Sequence, residues 1–163
     1  RFHGGVIYIC EHSDDGALGL MINQPLDIHL GEILEQLDLP GGELDLPVFS
    51  GGPVQPERGF VLHPPGTSWQ NTAKVTDDVL LTTSRDVLAG IGRGEGPDEY
   101  LVALGYSGWS EGQLEEELGS NAWLTCPANT DILFRTPWEE RYKAVLQLIG
   151  IDLNQLSESV GHA

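Results

Sequence analysis

The sequence predicts an α/β fold, a single-domain mixed β-sheet flanked by helices, and three observations lead there. Short β-branched or apolar runs alternate with segments of helical periodicity. One run, YLVALG at Tyr100–Gly105, is apolar throughout, as a central strand covered on both faces would be. The 21 glycines and 10 prolines among 163 residues require many turns and argue against a long helical bundle. With 40% hydrophobic residues and no tract long enough to serve as an interdomain linker, residues 1–163 are expected to close around one core.

In chain order, Val6–Cys10 and Leu18–Ile22 read as a β-hairpin turning at Asp14, Asp15 and Gly16. Leu30, Ile33, Leu34 and Leu37 recur at helical spacing until Pro40, Gly41 and Gly42 stop the pattern. Ser50–Pro64 is dense in glycine, proline and adjacent charges and reads as a shaped loop that releases a strand at Gly59–His63. Val79–Thr82 is a further strand. Ser84 is placed to cap a helix that buries Val87, Leu88 and Ile91. Gly90–Gly96 superficially resembles a phosphate loop, but it follows a helix instead of joining a strand to a helix N-terminus, so it reads as a helix exit.

Ser110 and Gln113 have capping-box spacing for a helix running through Leu118 to Gly119. Trp123–Thr125 and Ile132–Phe134 read as short strands. Thr136 and Pro137 are expected to start a last helix, with Trp138, Tyr142, Val145, Leu146 and Ile149 on one face and Gly150 ending it. Residues 151–163 carry no clear pattern.

Eight basic side chains stand against 25 acidic ones, a net charge of −17, and the cations are scattered. Nucleic-acid affinity depends on clustered Lys and Arg, so direct DNA or RNA binding is disfavoured, as is an anionic membrane surface. Cys10 and Cys126 fit neither a zinc motif nor a C-x-x-C pair, and two reduced, packed cysteines point to the cytoplasm. No apolar run is long enough to span a bilayer. The chain opens at Arg1, so a short native N-terminal segment is expected to be missing.

Several long blocks resemble the bacterial AlgH/YqgE family: VIYICEH at Val6–His12, GGPVQPERGFVLHP at Gly51–Pro64, and TTSRDVL at Thr82–Leu88. GYSGWSEGQLEEEL at Gly105–Leu118, NAWL at Asn121–Leu124 and the terminal GHA at Gly161–Ala163 follow in the family's order. The resemblance implies a single α/β domain and a largely uncharacterised protein, often called a transcriptional regulator. It also implies an additional strand-like N-terminal segment that this sequence lacks.

No complete catalytic constellation is visible. Ser107 sits in GYSGW, where Trp109 occupies the position a nucleophile elbow gives to its second glycine, so a tight turn is the plainer reading. Cys10 and His12 alternate on one strand and His63 ends another; without further ligands at recognisable spacing, no metal site follows. Glu115, Glu116 and Glu117 diverge around a helix axis and read as a solvated start, with Glu115 available to an arginine. Trp109 and Trp123 read as core and turn anchors.

The best functional constellation joins Gly51, Gly52 and Arg58 in one loop with Ser84, Arg85 and Asp86 in another. Two arginine forks beside glycine backbone suit a carboxylate or phosphate; the plainer alternative is internal pairing that locks each loop. No cofactor or metal is expected. The functional expectation is a regulatory or binding module acting through a protein partner or a small anionic ligand, with indirect effects on transcription included. The alternative is a hydrolase or thiol enzyme using Ser107, Cys10 or His63.

Overall fold

The structure, a computed structural model, describes residues 4–150. The chain order is β1 (Ile7–Ser13), β2 (Gly16–Met21), β3 (Pro25–His29), α1 (Leu30–Gln36), β4 (Pro47–Ser50), β5 (Val54–His63), β6 (Thr72–Lys74) and β7 (Leu80–Thr82). There follow α2 (Arg85–Gly92), β8 (Leu101–Trp109), α3 (Gln113–Gly119), a π-helical turn at Asp131–Arg135, a 3-10 turn at Trp138–Glu140, and α4 (Arg141–Ile149). The arrangement is a curled, mostly antiparallel mixed sheet with helices, in accord with the predicted fold class.

The apolar run foreseen as a central strand is β8, and the sheet is assembled on it. Along one side it pairs antiparallel with β5; along the other it pairs first with β4, in parallel, and then with β2, antiparallel. β1 lies outside β2, β7 and β6 lie outside β5, and β3 pairs with β4. Alternation along the strands divides the core in two. Phe49, Phe60, Leu62, Leu101 and Ala103 face one cluster, against which Phe134 and Trp138 pack. Val48, Val61 and Val102 face the other, shared with Leu30 and Leu34 of α1 and Val87 and Ile91 of α2.

The handover from β4 to β2 takes place at Gly51. Its amide donates to Leu104 O at 2.8 Å, and its carbonyl accepts from Met21 N at 2.9 Å and from the Ser107 hydroxyl at 3.1 Å. A Cβ on Gly51 would lie 2.3 Å from Gly105 O, and one on Gly52 2.3 Å from Tyr106 C. Gly105 itself has φ +76°, and its Cβ would lie 2.5 Å from Gly52 O. Two backbone segments, 51–52 and 105–106, therefore cross where no side chain fits.

The Ser50–Pro64 expectation needs correction. Only Gly51–Pro53 is a connection; from Val54 onward the segment is strand. The glycine and proline content misled because β5 is bulged. Its register with β8 breaks between Val54 and Gly59, Gln55 takes φ 45°, and Pro56 lies inside the irregularity, where no ladder donor is required.

Three other corrections concern the C-terminal part. Trp123–Thr125 is irregular, and Ile132–Phe134 belongs to the π-helical turn, whose entry is held by Ile132 N donating to Asn129 Oδ1 at 3.0 Å. The last α-helix begins at Arg141 rather than at Thr136, whose hydroxyl instead bonds Asp131 O. Gly150 ends it as expected. The Gly161–Ala163 block and Arg1 lie outside the described residues.

Arg141 is buried at 7% exposure. Its Nε donates to Ile132 O at 3.0 Å and one Nη to Leu133 O at 3.1 Å, while the other Nη donates to Ile22 O at the end of β2. The guanidinium also lies 5.2 Å from the Phe49 ring centroid. Burial lowers its pKa to about 10, so the group remains charged at neutral pH. It thereby fastens the π-helical turn and α4 to β2 and β4.

Two substitutions test this account by urea denaturation. Gly105→Ala combines a left-handed φ with backbone overlap and is expected to cost about 3 kcal/mol. Arg141→Ala leaves three buried carbonyls without their donor and is expected to cost at least about 3 kcal/mol, with little recovered in Arg141→Lys, which lacks the planar fork.

Candidate functional site

The residues expected to cradle an anion each have internal roles. Gly51 and Gly52 form the backbone crossing described above. Arg58 is exposed and lies over the Phe60 ring, 5.1 Å from its centroid. Arg85 donates to Leu37 O, at the end of α1. Phe60 belongs to one core cluster, whereas α1 and α2 pack with Val61 in the other, so the two arginines stand on opposite faces of the sheet.

Ser84 and Asp86 hold the preceding loop. The Ser84 hydroxyl donates to Asp86 Oδ1 at 2.6 Å and accepts from Asn71 N at 3.0 Å, while Asp86 Oδ2 accepts from Gln70 N at 2.8 Å. Burial pulls the Asp86 carboxyl upward, but these hydrogen bonds outweigh it and hold the pKa below the usual value.

The residues of the enzyme alternative are also separated. A bulge between Ile9 and Glu11 breaks the expected alternation of Cys10 with His12. Cys10 turns into the core, where burial, reinforced by Glu11, pushes its thiol up to about 12. His12 turns outward and meets Glu115 at 3.1 Å, a histidine where an arginine was expected. The Ser107 hydroxyl is spent on Gly51 O.

His63 does face a hydroxyl, with Nε2 2.7 Å from Thr82 Oγ1 and Nδ1 2.9 Å from Pro64 O. The Pro64 carbonyl can only accept, so Nδ1 carries the proton that it receives. Both residues are no more than 1% exposed, and Thr72 Oγ1 lies 2.8 Å from Thr82 Oγ1. This is a sealed interstrand network with no approach for a substrate. Among the described residues, no three His, Cys, Asp or Glu side chains converge as a metal site, and no helix is long and apolar enough to cross a membrane.

An apolar concavity lies elsewhere. A groove of about 860 Å³ runs between β1, α3, the 122–133 segment and α4. Tyr142, Val145, Leu146 and Ile149, the face foreseen for the last helix, line one wall; Leu114 and Leu118 of α3 line another. At its rim Glu117 Oε1 accepts from both indoles, Trp109 Nε1 at 3.0 Å and Trp123 Nε1 at 2.8 Å, and Oε2 accepts from Gln113 Nε2 at 3.0 Å. The tryptophan rings meet edge to face, 6.1 Å between centroids. Those donors, Trp123 first, hold the Glu117 carboxyl below its ordinary range.

Sequence reasoning marked both tryptophans and the α4 face but passed over Glu117, which it counted among the solvated acids. The available signal was spacing. Gln113 and Glu117 stand one helical turn apart, immediately after one tryptophan and before the other.

Fold and groove define a class: a small α/β protein whose sheet is built on a glycine-bearing central strand paired with a bulged neighbour, and whose apolar recess opens beside β1. A family model described as AlgH-like matches residues 1–154, and the chain belongs to that family. A UPF0301 protein of Hahella chejuensis is 52% identical over 163 residues, spanning 100% of this chain and 88% of that protein. One from Nitrosospira multiformis is 54% identical over 159 residues, spanning 96% and 86%.

The solution structure of the AlgH protein from Pseudomonas aeruginosa is similar with a TM-score of 0.81 at 47% identity, over 94% of this chain and 82% of that one. A crystal structure of a Corynebacterium diphtheriae protein matches with a TM-score of 0.70 at 15% identity, over 88% and 76%, which shows the shared fold alone.

The Glu117 clamp sets a pH dependence. A carboxyl whose folded pKa is depressed contributes stability fully above its unfolded value, near 4.5, and loses it as pH falls through the lower folded value. Acid titration followed by tryptophan emission should show this component in the native protein and lack it in Glu117→Gln.

Proposed function

We propose that this protein acts by binding, as a regulatory module that holds the apolar part of a protein partner or small ligand in the groove between β1, α3 and α4. The supporting observation is the groove itself: a large, mostly apolar concavity whose tryptophan rim is fixed by one carboxylate, on a surface that is otherwise strongly acidic. On this reading any effect on transcription runs through the partner rather than through DNA, because the −17 charge opposes phosphate contact. A cytoplasmic location, inferred from two unpaired cysteines, is part of the same proposal.

An anionic ligand at Gly51, Gly52, Arg58, Ser84, Arg85 and Asp86 is the weaker proposal. One Nη of Arg85 is already engaged by Leu37 O, and Asp86 places a negative charge within the set.

Native mass spectrometry and partner capture, run on the protein and two variants, separate these readings. Leu118→Arg puts a charge into the groove at a half-buried position and should abolish retention of any ligand or partner with little change in Tm. Arg85→Glu should retain it. The reverse pattern would move the site to the arginine loops.

A further inference from the structure

The His63 ring begins a continuous run of hydrogen bonds that ends on the segment leading to β6. Nδ1 lies 2.9 Å from Pro64 O and Nε2 2.7 Å from Thr82 Oγ1; Thr82 Oγ1 lies 2.8 Å from Thr72 Oγ1, whose hydroxyl donates to Trp69 O at 3.2 Å. Both ends of the run are carbonyls, which only accept, so Nδ1 gives a proton to Pro64 O and Thr72 gives its single hydroxyl proton to Trp69 O. The contact between the two threonines then takes the Thr82 proton, and the contact between Thr82 and Nε2 requires a proton on Nε2. All four bonds are made together only by an imidazolium. In the neutral ring the proton stays on Nδ1, since otherwise two lone pairs would face each other across 2.9 Å. Thr82 then donates to Nε2, Thr72 donates to Thr82, and Trp69 O loses its donor.

From this inventory we propose that His63 and Trp69 form a proton-driven latch: uptake of a proton at Nε2 reverses both threonine hydroxyls and makes the Thr72–Trp69 bond, and loss of that proton releases it. The sealed ring is reached through the hydroxyls. Thr72 is exposed; its oxygen takes a proton from bulk water, its former proton passes to Thr82, and the Thr82 proton passes to Nε2. Each hydroxyl keeps the proton it receives, which leaves Thr72 aimed at Trp69 O. The segment so held packs on α2, because a Cβ on Gly90 would lie 2.7 Å from Trp69 Cη2.

Ionisable groups on the surrounding elements are engaged elsewhere or turned outward. On α2, Asp86 accepts from Gln70 N and Ser84, and Arg85 donates to Leu37 O. Lys74 of β6 is exposed and pairs with Asp77; Glu57 and Arg58 of β5 are exposed, and Tyr100 before β8 is half-buried. Among the described residues none of these bonds a member of the run. The added bond belongs to the charged ring, so its stabilisation is present at low pH and is lost as pH rises through the ring's titration.

The test is an NMR titration of the full chain over the pH range in which it stays folded, reading the His63 ring nitrogens for charge and the Trp69 carbonyl carbon for its hydrogen bond. In the native protein the carbonyl is expected to shift with the same midpoint as the ring. In Thr72→Val the carbonyl should stop responding and the proton affinity of His63 should fall about threefold to tenfold, because the charged arrangement loses two bonds and the neutral one loses one. Thr72→Ser, which restores the hydroxyl, should restore both. A Trp69 carbonyl that stays still while the ring titrates, an unchanged response in Thr72→Val, or a ring that keeps one charge state throughout would overturn the latch.

Discussion

The closest constraint in this protein is steric: the backbone of Gly51 and Gly52 lies directly against that of Gly105 and Tyr106. β8 has to exchange one neighbour for another along the same side, parallel β4 for antiparallel β2, and it can do so only if the connecting chain passes within contact of its main chain. Gly51 then bonds β8 through its amide and β2 through its carbonyl. The bulge in β5 answers the same constraint from the other side, because its irregular residues lie where Gly105 takes its left-handed turn. This crossing is what lets β8 carry both β4 and β2 along one side.

The segments richest in glycine, proline and arginine also make structural contacts. Gly51 and Gly52 are consumed by the crossing, Arg58 lies on Phe60, and Arg85 with Ser84 and Asp86 ties α2 to α1 and to the loop before β6. A hydroxyl, a thiol and an imidazole that suggested chemistry in isolation prove to be interior hydrogen-bonding or packing groups. A wide apolar concavity lies where β1, α3 and α4 meet, in residues whose individual types suggest nothing beyond a core.

The fold was legible where one local pattern sufficed. The hairpin turning at Asp14–Gly16, the α1 and α2 periodicities and the apolar β8 are each written in a short window. β5 was not, because Pro56 and Gly59 have loop signatures that only its own bulge against β8 makes compatible with a strand. Ile132–Phe134 is β-branched and apolar, yet its conformation is set by Asn129 and Arg141, neither of which belongs to the window. The groove was half legible: the apolar face of α4 was visible, but the β1 wall opposite it comes from a distant part of the sequence. Arg141 was hidden most completely, since its acceptors are main-chain carbonyls and any sequence supplies those.

That last feature has an evolutionary consequence. An ion pair can be exchanged or reversed by paired substitutions, because both partners are encoded. The acceptors of Arg141 are not encoded by the identities of residues 22, 132 and 133, so no replacement there removes them and none compensates for a loss at 141. Position 141 is expected to remain fixed whichever apolar residues fill the buried positions 22, 132 and 133, leaving no covariation signal from those three acceptors.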